Sequence, residues 1–405
     1  MTDKAPLSGV RVVEVGNYMA APFCAMQLAD LGADVIKVEN PNGGDSVRHV
    51  APLLDGEGSA FLRLNRNKRS LAVDLKSAEG KEVFRKLAAT TDVVVENLRP
   101  GTMKDLDLDY PALASINPRI IYVAASGWGQ DGSLKDRPGL DIMAQARSGL
   151  MSITGNPGDD PVKVGVPVCD LVCALYGALA ATAALRAREE TGRGQYMDIS
   201  LFESGVSLEV WEAGAFFATG AVPGPQGSAH QASAPYQAFR AADGWLTIGA
   251  TTPPNWVALC KTLGLERLTA DPRYADANLR QANRPTLIPA IEAVTSTAPV
   301  AQWISLLDKA GVPCAPIQDI GQVFNDPALA SRDFFWDAPH PTLGAVRQLG
   351  SPMRFSGSHV RRDAAAPRLG EHTMAVLGEL GYSATESQHL RARRVVATAP
   401  AGAHA

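Results

Sequence analysis

Val12-Val13-Glu14-Val15, the turn Gly16-Asn17-Tyr18, the helix-forming run Ala20 to Asp30, then Gly32-Ala33-Asp34 and Val35-Ile36-Lys37-Val38: this stretch decides the fold. A β-branched run closed by turn residues reads as a strand, and a helix between two such runs reads as a βαβ unit. Ser70 to Leu75 repeats the strand pattern and is followed by helical sequence from Ala78 to Ala89. Asp92 to Glu96 and Ile120 to Ala124 continue the alternation. The expected fold is therefore α/β: a doubly wound, largely parallel sheet with helices on both faces. Binding sites in such sheets lie outside the carboxyl ends of the strands.

Working outward, Ser126 to Gly139 (SGWGQDGSLKDRPG) is a long loop, of a length that compact domains usually keep for function. Helical sequence resumes near Asp141, and GNPGDDPVKVGVP precedes a long apolar helix after Asp170. AVPGPQGSAHQASAP reads as a linker. The expected organisation is a large domain over 1–220, a linker over 221–235 and a smaller α/β domain over 236–325. A return linker and C-terminal part of the large domain over 326–393 and a disordered tail over 394–405 complete it.

The chain has 405 residues, 38 Lys+Arg against 42 Asp+Glu, a net charge of −4, and 46% hydrophobic residues. That composition excludes fibrous and disordered classes. Its charge balance lacks the basic excess a nucleic-acid or anionic-membrane partner requires. The apolar run Leu171 to Leu185 falls short of the roughly 20 residues that span a bilayer, so it reads as a buried helix. MTDKAPLSGV has acid and proline where a secretory leader needs a basic and then an apolar run. The five scattered cysteines form no CxxC or zinc-type spacing, which points to reduced thiols and a cytoplasmic location. No metal site is expected. GxGxxG after the first strand, GxxxxGK[ST], GxSxG and HExxH are all absent, which removes the nicotinamide, P-loop, serine-hydrolase and zinc-peptidase readings.

Asp170 stands out. It follows a Pro/Gly turn and opens the apolar helix, where amide donors and the helix dipole are expected to keep it ionised. Two readings stand: a simple N-cap, or a carboxylate nucleophile, which needs no general base. Asp141 is read either as a further N-cap or as a second carboxylate in the site. Lys76, Arg99, Lys104 and Arg137 follow or precede strand ends, as solvated surface charges or as a set gathered around phosphates. The Tyr18-Met19-Ala20 turn suits either tight helix packing or close approach of a ligand.

MAAPFCAMQLADLGADVIKVENP, NRNKRSLAVDLKSAEG, DVVVENLRPG, SGWGQDG, the Asp170 segment, TGRGQYMDISLFES, GVPCAPI and RLGEHT occur in one order from Pro6 to about His372. That ordered set resembles the class III coenzyme A transferase family (CaiB/BaiF type), which includes formyl-CoA transferase and 2-methylacyl-CoA racemase. The resemblance implies a large doubly wound domain, a small domain and an interlocked homodimer. It implies that Asp170 is the nucleophile, with CoA or acyl-CoA as substrate and no permanently bound cofactor. It further implies CoA contacts at Tyr18, Met19, Ala20, Val73, Lys76, Asn97, Leu98, Arg99, Lys104 and Arg137. Leu140 stands where the racemase branch has a histidine, so transfer is favoured over racemisation. Met19 replaces a glutamine, and Asn40 and Asp105 replace arginines, of formyl-CoA transferases, and the glycine-rich loop of those enzymes is not recognisable. GSAHQASAPYQAF, which holds Tyr236, is similar to members acting on dicarboxylates, and Arg48, in GGDSVR, suits a distal carboxylate by bidentate pairing, so Arg48 and Tyr236 are the expected substrate contacts. The expected activity is CoA transfer from a dicarboxylyl-CoA such as succinyl-CoA to a carboxylic acid. A racemase-like isomerase and a non-catalytic CoA-binding protein are the alternatives.

Overall fold

The computed structural model describes residues 4–400. The chain forms two compact units: residues up to Leu150, Lys163–Ala213 and those from Ala328 onward make the first, and Met151–Val162 with Gly214–Pro327 make the second.

In the first unit the elements run β1 (Arg11–Val15), α1 (Ala20–Asp30), β2 (Asp34–Glu39), β3 (Lys68–Val73), α2 (Ala78–Ala88), β4 (Val93–Glu96) and β5 (Ile121–Ser126). Then follow α3 (Asp141–Ser148), α4 (Val168–Thr191) and β6 (Tyr196–Ser200). The second unit holds β7 (Tyr236–Arg240), β8 (Trp245–Gly249) and β9 (Cys314–Pro316), paired antiparallel in the order β9-β8-β7 with helices packed on them. Back in the first unit come a hairpin, β10 (Phe335–His340) and β11 (Gly344–Leu349), and a last short strand, β12 (Val396–Ala397).

The large sheet has the order β12-β3-β2-β1-β4-β5-β6, parallel throughout except for β12. Alternate residues of each strand feed opposite faces, as the period-two geometry of a strand demands. Val12, Val35, Val93 and Val95 pack with α1 and α4; Val13, Ile36, Val73 and Val94 pack with Val83, Phe84 and Leu87 of α2. Both faces are covered, which is why the strands read as continuous apolar runs. The strand order reverses between β1 and β4, the position at which open α/β sheets form a crevice.

Three expectations need correction. Residues 151–162 and 214–220 belong with the second unit: Gly227 N–H donates to Gly155 O at 2.8 Å, and the chain is compact from Gly214 to Pro327 without a separable linker. The C-terminal segment is ordered at Val396–Ala397, because Val395 and Val396 bury themselves against the edge of β3; residues 401–405 lie outside those described. The apolar helix α4 has 24 residues, with a mean hydropathy of 1.9 over its most apolar window, and is by length and composition long enough to cross a membrane. One of its faces (Cys173, Ala174, Gly177, Ala178, Ala181, Ala184) is buried, while Leu175, Tyr176 and Leu179 are exposed.

Candidate active site

The β1–α1 turn sits at the reversal of strand order. Tyr18 there has φ +63°, a left-handed conformation that costs a non-glycine residue energy and must be held by its surroundings. From the β4 side, the Asn97 amide holds Asn17 by both main-chain groups: Asn17 N–H donates to Oδ1 at 3.0 Å, and Nδ2 donates to Asn17 O at 2.8 Å. Met19 occupies the N-cap of α1 without a side-chain cap, and the Tyr18 ring is exposed. Ala20 and Val73 are buried, and Val73 is packed in the core opposite Val396. Their side chains serve packing, so any ligand contact at these two positions falls to the main chain.

A cleft of about 430 Å³ opens beyond β4 and β5, lined by Asn97, Leu98, Arg99, the Ser126–Trp128 segment, Lys135, Arg137 and Leu140. Arg99 also lines a second cavity of about 380 Å³ with Lys104, Glu96, Tyr110, Tyr122 and Tyr196. The four expected basic residues thus do not form one set. Arg99 and Arg137 share the cleft, Arg99 and Lys104 share the cavity, and Lys76 is exposed and lines neither. Lys135 was missed, although its SLKDRPG loop carries two basic residues. Burial raises the Glu96 carboxyl to about 7 despite the Leu98 N–H that donates to it.

The long loop is closed at its base by two glycines. A Cβ on Gly127 would lie 3.0 Å from the Gly139 Cα, so this approach brings Asp141 back to the end of β5. Asp141 opens α3 yet caps α4: its Oδ1 accepts from Cys169 N–H at 2.9 Å and Asp170 N–H at 3.2 Å. Helix α4 starts at Val168 after Pro167, which offers no side-chain cap, and Asp170 lies inside its first turn. The N-cap reading of Asp170 is thereby corrected, because the carboxylate that satisfies these orphan amides belongs to Asp141.

Gln145, fully buried one turn along α3, fixes this arrangement. Its Nε2 donates to Asp141 Oδ2 at 2.5 Å, and its Oε1 accepts from Val164 N–H at 2.9 Å. The i, i+4 spacing from Asp141 was the sequence signal for it. Burial first, and the Asp141 charge second, raise the Asp170 carboxyl from its ordinary 3.8 to about 7. The expectation that amides and dipole keep it firmly ionised therefore fails, because the donors of the first turn are spent on Asp141. Among the described residues no cluster of metal-ligating side chains exists.

Arg48 is not available to a substrate. It is buried, donates to both Glu39 oxygens at 2.8 and 2.9 Å and to Pro367 O at 3.0 Å, and stacks 3.7 Å over the Phe61 ring. Arg48 as a distal-carboxylate contact is thus corrected to an internal ion pair. Tyr236 belongs to the second unit, half exposed and stacked on His230 at 4.9 Å.

A doubly wound sheet whose order reverses between β1 and β4, a cleft beyond β4 and β5, and two aspartates meeting at the start of α4 make up the site. The chain belongs to CoA-transferase family III, whose model matches residues 7–373, and it is a transferase of that family. It is 37% identical over 376 residues to succinyl-CoA:glutarate CoA-transferase of Mus musculus, covering 93% of this chain and 86% of that protein. It is 38% identical over 387 residues to succinyl-CoA:mesaconate CoA-transferase of Haloarcula hispanica, covering 93% and 96%. A CAIB/BAIF family protein from Brucella suis superposes with a TM-score of 0.84 at 37% identity, covering 93% of this chain and 100% of that one.

Proposed function

We propose that this protein moves CoA from succinyl-CoA to a dicarboxylic acid, with Asp170 as the covalent nucleophile. The observation that carries the reading is the pairing of Asp170 with Asp141 at the start of α4, where burial and like charge disfavour a free Asp170 carboxylate. The two named relatives, each pairing succinyl-CoA with a dicarboxylate, support the substrate class.

Asp170 attacks the thioester carbonyl, forming a mixed anhydride and releasing CoA thiolate. The thiolate attacks the aspartyl carbonyl, freeing the donor acid and leaving an Asp170–CoA thioester. The acceptor carboxylate then attacks that thioester, and the returning thiolate collects the acceptor acyl group and restores Asp170. Each acylated state of Asp170 is uncharged, so acylation removes both the burial cost and the repulsion from Asp141. The raised proton affinity also makes the ionised form more nucleophilic than an ordinary carboxylate. Arg99, Lys135 and Arg137 in the cleft supply cations for the CoA phosphates.

We place two copies in the working molecule. The exposed apolar residues Leu175, Tyr176 and Leu179 of α4 and Val210, Trp211 and Phe217 support this, and light scattering showing a monomer would overturn it. All five cysteines are free, which supports a cytoplasmic location. The deciding experiment is mass spectrometry of the protein incubated with succinyl-CoA and hydroxylamine: a hydroxamate adduct on Asp170 is expected. Asp170→Ala should bind CoA without turnover; full transfer activity in that variant would end the reading.

A further inference from the structure

Four charged residues that the mechanism does not use lie beneath the β1–α1 turn. Glu14, Lys37 and Lys68 are buried in the sheet, and Asp45 is buried beside them. Lys37 Nζ reaches Glu14 Oε1 at 2.6 Å, Gly16 O at 2.9 Å and Asp45 Oδ2 at 3.0 Å. Lys68 Nζ reaches Glu14 Oε2 at 2.7 Å, Pro22 O at 2.8 Å and Asn65 Oδ1 at 2.8 Å. Each ammonium has three N–H groups: Lys68 spends all three on hydrogen bonds, whereas Lys37 makes two, to Glu14 and Gly16 O, with Asp45 Oδ2 as its ion-pair partner. The remaining oxygen of Asp45, Oδ1, accepts from Tyr18 N–H at 3.3 Å. The turn is thus gripped from below at Gly16, Tyr18 and Pro22, while Asn97 grips Asn17 from the cleft.

We propose that Lys37 and Lys68 are positioning residues for CoA, holding the Gly16–Pro22 turn in the shape that receives the thioester end of the substrate. The inference rests on the CoA-transferase reading above. Fold stability alone does not account for the cluster, since apolar residues of similar size commonly replace buried ion pairs at little cost. What apolar residues cannot reproduce is directed donation to Gly16 O and Pro22 O on either side of the strained Tyr18.

The cluster also carries a titration that separates positioning from packing. Burial first, with the like charge of Lys37 adding to it, lowers the Lys68 amine to about 8, while Glu14 and Asp45 act to retain the proton. The other ionisable groups near it are the Cys24 thiol on α1 and Asp30, which is paired with Arg66 through Nε to Oδ1 at 3.0 Å and also accepts from Asn67 Nδ2 at 3.0 Å. Above pH 8 the neutral amine has two N–H groups for three acceptors, so the hold on Pro22 or Asn65 slackens.

The test is CoA affinity by calorimetry from about pH 6.5 to about pH 9.5, together with kcat and acceptor KM, for the wild type, Lys68→Arg and Lys68→Met. Wild-type CoA affinity should fall as pH rises through about 8. In Lys68→Arg, whose guanidinium stays charged, that fall should be absent. Lys68→Met removes all three Lys68 bonds, of which the one to Pro22 O holds the turn; loss of that charge-assisted bond predicts CoA binding weaker by about tenfold at pH 7, with acceptor KM little changed. A Lys68→Met protein of native circular dichroism and wild-type CoA affinity overturns the proposal, as does the same pH-dependent fall in Lys68→Arg. If Lys68→Met does not fold, the Lys68→Arg profile decides. A wild type that binds no CoA at any pH overturns the CoA-transferase reading as well.

Discussion

Replacing Asp170 by Asn tests the electrostatics of the site without reference to substrate. The carboxyl rises from 3.8 to about 7 in the folded protein. That is roughly three pKa units at about 1.4 kcal/mol each, a ceiling of about 4 kcal/mol. The carboxyl is partly solvated, which reduces the figure to about 2 kcal/mol. The sign follows from linkage: a carboxyl that holds its proton more tightly when folded destabilises the fold as pH rises from about 4 through about 7. Asp170→Asn removes that penalty. The variant should therefore be more stable than the wild type by about 2 kcal/mol at pH 8, a few degrees in Tm, and equal to it near pH 4. Differential scanning calorimetry of both proteins at pH 4, 6 and 8 reads the difference. If Asp170 instead stabilises α4 as a charged group at its positive end, the substitution costs stability at pH 8. A Tm below that of the wild type at pH 8, or a gain independent of pH, refutes the reasoning.

The same carboxyl should set the acid limb of catalysis. Wild-type kcat/KM for the acyl-CoA should rise with pH through about 7, as Asp170 loses its proton. In Asp141→Asn the limb should move to lower pH while staying above the ordinary carboxylate range, because burial, the larger cause, is untouched; a pH profile of both proteins checks this. Arg48→Met leaves Glu39 buried without its guanidinium partner and should destabilise the fold by about 3–5 kcal/mol, read as a lower urea midpoint. A selective rise in diacid KM at unchanged stability would instead return Arg48 to the substrate. The Glu39 carboxyl itself sits near 2: burial raises it, and Arg48 more than reverses that.

The sheet was legible because its signal is local. Val12–Val15 and Val35–Val38 are β-branched runs with turns at their ends, and α1 occupies the range read for it, Ala20–Asp30. The hairpin β10–β11 was not read, because Phe335–His340 contains a proline and its partner strand is half polar. Asp170 and Asp141 were both legible as helix-start aspartates, but the relation between them was not. Which aspartate caps which helix depends on Gly127 meeting Gly139, a contact set by tertiary packing rather than by spacing along the chain.

Arg48 and the two buried lysines show the same limit from opposite sides. Arg48 looked like a recognition residue because arginine suits carboxylates, and it does bind one; the carboxylate is Glu39, at the end of the preceding strand, β2. Lys37 lies within the β-branched run Val35–Val38 and Lys68 two residues before the strand read from Ser70, with no local pattern that marks either as a buried charge. In register, Glu14 stands directly opposite Lys37 on the neighbouring strand, on the face that α1 covers. Charges placed in strand interiors violate the local rule for a two-sided buried sheet, and such violations persist where function or strain requires them. Here the strained residue is Tyr18: its N–H donates to Asp45, the lysines donate to Gly16 O and Pro22 O on either side of it, and Asn97 holds Asn17 beside it. The physical content of the strand motifs VVEV and VIKV therefore lies as much in their one charged member as in their valines.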